Sequence, residues 1–133
     1  MEMSRHSYSR DDLKLSYLDA DTEGMPLVAL HAHWMEAATF RLLAESLASA
    51  WRLVALDQRG HGFSDHARSY RREDYLGDLE ALLDHLGLKN VILRGNSLGG
   101  VNAYQYAAKR PGRVRALVVE DIGVEIDDNV SMT

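Results

Sequence analysis

The stretch VILRGNSLGG, residues 91–100, runs from an apolar segment into glycines that surround one serine, with Gly95 two residues before Ser97 and Gly99 two residues after it. The apolar run reads as a buried strand and the residues from 98 onward as a helix, so the serine falls on the turn between them. A strand that turns straight into a helix forces its turn residue into a strained backbone conformation. The flanking residues must then be tiny to avoid the neighbouring strand and helix. In that position the serine oxygen stands exposed at the top of a sheet. The first N–H groups of the helix, beginning with Leu98, point at the space where an attacked carbonyl develops negative charge. On these residues alone two readings stay open: a nucleophile, or a glycine-rich turn that holds an anion at a helix start.

Outward from this turn, strand-like and helix-like segments alternate. LKLSYLDA (13–20) alternates moderately and reads as a strand after a polar start, and DTEG (21–24) reads as a turn. PLVALHA (26–32) and RLVALD (52–57) are short continuous apolar runs, as expected of strands buried on both faces. Between them, EAATFRLLAESLASA (36–50) puts Phe40, Leu43 and Leu47 on one helical face. A polar loop, QRGHGFSDHARSYR, follows the second run; then Tyr75, Leu76, Leu79, Leu82, Leu83 and Leu86 recur at helical spacing up to Gly87, which is placed to end that helix. NVILRG (90–95), a helix from residue 98 to Pro111-Gly112, and VRALVVED (114–121) repeat the unit.

This order predicts an α/β fold: a mostly parallel sheet with helices on both faces, three layers deep, in one domain over residues 1–133. Residues 122–133, from Ile122 to Thr133, read as a loosely ordered tail. Parallel sheets keep their ligand sites at the carboxyl ends of the strands. His31 to Trp34, Asp57 to Asp65 and the Ser97 turn all follow strands, and so converge on one edge.

Composition narrows the function classes. The 133 residues are 46% hydrophobic and 26% charged, enough for a packed core. With 15 basic against 20 acidic residues the net charge is −5, and the arginines are interleaved with acidic and apolar residues, which argues against nucleic acid as a partner. Cysteine is absent, so disulfides and thiolate metal sites are excluded. His31 and His33 have no carboxylate at a ligand-like interval, and neither a metal nor a cofactor is expected. The polar amino terminus and the lack of any apolar run near ~20 residues point to a cytoplasmic protein without a membrane partner.

Several segments in order resemble the amino-terminal half of an α/β-hydrolase fold protein. PLVALHAHW is similar to the strand end that supplies half of that family's oxyanion hole. LVALDQRGHGFSD is similar to its Asp-x-Arg-Gly-His-Gly-x-Ser loop, YLGDLEALLDHLGLKNVILRGNSLGG to its helix and nucleophile elbow, and RPGRVRALVVEDIG to the next strand. The resemblance covers residues 15–124 and implies a serine hydrolase of esterase type acting on a small acyl substrate. It implies Ser97 as nucleophile and the backbone N–H groups of His33 and Leu98 as the oxyanion hole. Gly95 and Gly99 are then the elbow glycines, and Trp34 a candidate pocket residue. Serine where dehalogenases and epoxide hydrolases of the family carry aspartate points to ester, lactone, thioester, amide or carbon–carbon acyl cleavage. His31, Asp57, Arg59 and His61 read as scaffold residues.

Two departures stand out. Ala32 occupies a place where the resemblance leads one to expect glycine, and a positive φ there would strain alanine. The family's chain order is nucleophile, acid, histidine, yet the last histidine is His85. Glu120 and Asp121 end the last strand, where some members carry the acid, but a strand-end carboxylate is the plainer reading. The expectation is therefore a partial domain that needs a complementary carboxyl-terminal polypeptide, or that self-associates through the 114–121 edge. The alternative is a non-catalytic doubly wound binding or interaction module.

Overall fold

The computed structural model describes residues 2–121; the expected tail at 122–133 lies outside the described residues. Six strands form one sheet: β1 (Ser4–Arg10), β2 (Leu13–Asp19), β3 (Met25–Leu30), β4 (Trp51–Leu56), β5 (Val91–Asn96) and β6 (Val114–Glu120). Their spatial order is β1-β2-β4-β3-β5-β6. β1 pairs antiparallel with β2, and β2 with β4, while β4, β3, β5 and β6 are parallel. Val28 stands opposite Val54 on one side and Leu93 on the other, and Leu93 stands opposite Leu117.

Helices α1 (Arg41–Ser46), α2 (Arg72–Leu86) and α3 (Leu98–Lys109) connect the parallel strands. Because side chains alternate across a strand, each strand feeds two cores. Leu15, Tyr17, Val28, Leu30, Val54, Leu56, Val91 and Leu93 pack under α2 and α3. Leu18, Leu27, Ala29, Leu53 and Ala55 pack under Ala37, Phe40 and Ala44 of the α1 region. The two-sided burial explains the continuous apolar runs.

The strand and helix succession matches the expected alternation from residue 13 onward, with two corrections. The polar start contains β1, whose sequence SRHSYSR buries only Tyr8. An edge strand half open to solvent needs few apolar residues, and its turn uses Asp11 at φ 54 rather than glycine. The expected helix over 36–50 is a 3-10 turn at Ala37–Phe40 followed by a six-residue α1, and Leu47 is already extended. Residues 47–50 instead bend back to start β4: Trp51 N–H donates to Ala48 O at 3.0 Å and Met25 N–H to Ala50 O at 2.8 Å. The helix from 72 ends at Gly87 in the left-handed region (φ 68), as its position predicts.

From β3 the chain crosses to β4 on one side, whereas β5 lies on the other side of β3. The connections thus diverge between the carboxyl ends of β3 and β5, which is where open α/β sheets hold their ligands.

Candidate active site

Ser97 lies between the end of β5 and the first residue of α3, at φ 51 and ψ −113, a conformation rarely adopted by residues other than glycine. Its N–H donates to Glu120 O at 2.9 Å, and its own carbonyl accepts from Val101 N–H at 3.0 Å. The flanking glycines are required by close approach. A Cβ on Gly95 would overlap the Gly99 carbonyl, and one on Gly99 the Leu30 carbonyl. Gly99 N–H donates to His31 O at 3.1 Å, so the start of α3 is tied directly to the end of β3. Leu98, the first residue of α3, carries one of the N–H groups that a helix start leaves without an intrahelical acceptor.

His33 and Trp34 occupy the turn after β3, closed by Met35 N–H donating to Ala32 O at 3.1 Å. The positive φ of this turn belongs to Trp34 (69), and Ala32 is not among the left-handed residues. Ala32 therefore does not meet the strain that a positive φ would have brought, and the left-handed residue of the turn is Trp34. Trp34 is 84% exposed and stacks edge-on against the His33 ring at 4.3 Å between centroids. With His33, His61, His66, Gly60, Tyr70 and Tyr75 it lines a recess of about 290 Å³.

Of the scaffold residues, His31, Asp57 and Arg59 are buried and paired, and His61 is half-buried. His31 Nε2 accepts from Gln58 N–H at 3.0 Å, which leaves the proton on Nδ1 to donate to Ala32 O at 2.8 Å. Burial lowers its pKa from 6.5 to about 4, so the ring is neutral. The fully buried Asp57 carboxylate accepts from the Arg5 guanidinium (2.8 Å), Ala37 N–H (2.8 Å) and Phe63 N–H (3.2 Å). Arg59 donates to Asp78 at 2.7 and 2.9 Å, fastening the 57–70 loop to α2. Glu120 accepts from Arg94 at 2.8 Å and Asn96 at 3.1 Å, so its carboxylate braces the strand leading to Ser97.

One part of the site is missed by the sequence reading. Asn102, buried on α3, donates to Gln58 Oε1 at 2.6 Å, and Gln58 Nε2 donates to His31 O at 2.8 Å. Arg72 donates to Asn102 Oδ1. This buried chain joins the ends of β3 and β4 to the first turns of α3. Its one sequence signal is Asn102, a polar residue beside Ala103 on an otherwise apolar helix face. Among the described residues no cluster of three His, Asp or Glu side chains has the geometry to hold a metal ion, and no helix is long and apolar enough to cross a membrane.

A family model described as alpha/beta hydrolase fold matches residues 25–133. The chain is 38% identical over 114 residues to the sn-1-specific diacylglycerol lipase ABHD11 of Mus musculus, covering 83% of this chain and 37% of that protein. It is 32% identical over 124 residues to epoxide hydrolase 4 of Mus musculus, covering 88% and 34%. The solved structure of an alpha/beta hydrolase from Novosphingobium aromaticivorans superposes with a TM-score of 0.83 at 35% identity, over 92% of this chain and 45% of that one. The chain spans about two-fifths of the length of the curated relatives it matches.

Proposed function

The chain belongs to the alpha/beta hydrolase fold family, and from that premise we propose that it carries the nucleophile half of a serine hydrolase site acting on a carboxylic ester or related acyl bond. The observation that carries the reading is the backbone of Ser97. A serine held at φ 51, between two glycines that admit no Cβ, keeps its hydroxyl at the divergence of β3 and β5 at a cost of order 1–3 kcal/mol. A turn that only bound an anion or reversed the chain would place glycine there and avoid the strain.

In this reading Ser97 Oγ attacks the acyl carbon to form an acyl-enzyme. The N–H groups of Leu98 and His33 receive the oxyanion. Serine rather than aspartate directs the site to acyl chemistry and away from epoxide opening. The serine proton needs a base, and the buried histidine is unsuited: both His31 nitrogens are engaged and its ring is neutral down to about 4. All six histidines precede Ser97 in the chain. The reading therefore assigns base and acid to a complementary carboxyl-terminal polypeptide segment.

A fluorophosphonate probe, added together with that segment, is expected to label the chain at Ser97 and to leave Ser97→Ala unlabelled. Equal labelling of both would overturn the assignment. The 133-residue chain alone should turn over p-nitrophenyl esters several orders of magnitude more slowly than an intact hydrolase, at the residual rate left by binding and oxyanion stabilisation.

A further inference from the structure

The recess beside the β3 turn is built from rings. Trp34 and His33 come from the turn after β3, His61, His66 and Tyr70 from the loop after β4, and Tyr75 from α2. The His33 and His61 rings meet edge to face at 5.4 Å, and Tyr70 and Tyr75 lie 6.3 Å apart. This arrangement is held in place. Gly60 sits at φ 78 with the Tyr70 ring where its Cβ would be, so only glycine lets Tyr70 fold in. Tyr70 Oη accepts from Ala67 N–H at 3.0 Å, and His61 Nδ1 bonds Arg59 O at 2.9 Å.

The recess also lacks a fixed charge. No carboxylate, lysine or arginine lines it. The arginine of the same loop, Arg59, has its guanidinium occupied by Asp78 and the Ser69 carbonyl. A carboxylate or ammonium group would meet no lysine, arginine or carboxylate counter-charge there and would lose hydration on entry. An uncharged ring instead meets a lining made of six aromatic side chains, to which it can stack. His33 links this recess to the Ser97 turn, since it lies two residues past His31, whose carbonyl accepts from Gly99 N–H, and lines the recess.

We propose that the recess receives an uncharged aromatic group on the acyl substrate, positioned there while the scissile carbonyl lies against the His33 and Leu98 N–H groups. The assignment of substrate class rests on the Ser97 reading; the ring-binding recess does not need a base and can be tested without turnover.

The test is titration of the full chain, labelled in its histidine rings, with benzamide, followed by the imidazole carbon–proton signals. Saturable ring-current shifts are expected at His33, His61 and His66, with His6 and His85 unmoved. Hexanamide and benzoate should bind at least about tenfold more weakly, one lacking the ring and the other carrying a charge. Trp34→Ala, at an exposed position that does not threaten folding, should weaken benzamide about tenfold, while Ser97→Ala leaves it unchanged. Equal shifts at all histidines, no saturation, or hexanamide binding as well as benzamide would overturn the proposal. Benzamide shifts in a chain whose Ser97 resists the fluorophosphonate would retain the aromatic recess and remove the nucleophile reading. Labelled Ser97 without those shifts would do the reverse.

Discussion

At the scale of single residues, the geometry around Ser97 follows from backbone contact more than from side chains. Gly99 donates its N–H to His31 O, and a Cβ on it would overlap the Leu30 carbonyl, so any side chain would push β3 and α3 apart. Gly99→Ala should destabilise the fold by at least about 3 kcal/mol, read as a lower urea midpoint, because the obstacle is backbone and cannot turn aside. His31 gives a pH signature. An unfolded chain takes up its proton near 6.5, whereas the folded chain resists until about 4. The unfolded state thus binds the extra proton within that window. The stability this residue contributes is complete above it and is lost as pH falls through it, about 3 kcal/mol in all. Its ring signals should titrate near 4 in the folded chain, with urea midpoints falling over the same range; a midpoint near 6.5 would contradict the buried, doubly bonded placement.

At the scale of elements, α2 acts as the clamp that shapes the loop after β4. The carboxylate of Asp78, 1% exposed, accepts two hydrogen bonds from Arg59 and one from Arg10 of β1 at 2.9 Å, and its backbone carbonyl accepts from the Tyr8 hydroxyl at 2.7 Å. Asp78→Ala would leave the buried Arg59 charge with only the Ser69 carbonyl and the Asp74 carboxylate at 3.8 Å, which costs about 3 kcal/mol and should also loosen Tyr70 in the recess. Arg71→Ala on the same helix start breaks an ion pair whose side chains are 71% and 67% exposed, and should change stability by less than about 0.5 kcal/mol. Thermal melts of the two variants side by side distinguish a clamp from a surface pair. The same scale explains which elements the sequence revealed. α2 shows its leucines at helical spacing and a terminal Gly87, and β3, β4 and β5 show unbroken apolar runs. β1 shows neither, because one buried tyrosine and a partner strand suffice for an edge. α1 stops early because the chain must return to β4, a demand set by the sheet and absent from the apolar spacing of residues 36–50.

At the scale of the whole molecule, β6 is the exposed flank. Among the described residues it pairs only with β5, and Leu117 and Val118, on opposite faces, are 39% and 43% exposed. The strand has neither proline nor lysine; Arg115 and the register irregularity beside it, between the Val91 and Ile92 pairings, interrupt the edge at one point, and the apolar run from Ala116 to Val119 is left able to recruit another strand. We expect the pure chain to associate at micromolar concentration, with its molar mass by light scattering falling on dilution, and Val118→Lys to shift it toward monomer. A wild-type chain that stays monomeric across the series, with slowly exchanging amides at Leu117 and Val119, would show that this flank is satisfied within the chain.

The alternation of apolar runs and amphipathic segments, and a serine set between two glycines at a strand–helix boundary, were determined by the sequence itself, since strand burial and close backbone approach each demand a residue type that can be read locally. The pairing of those parts was decided only in three dimensions. Gln58 and Asn102 lie 44 positions apart and become one buried hydrogen-bonded pair, positive φ settles on Trp34 instead of Ala32, and histidines from two loops meet at 5.4 Å. Such contacts depend on which strand ends the sheet order brings together, and no spacing along the chain records that order.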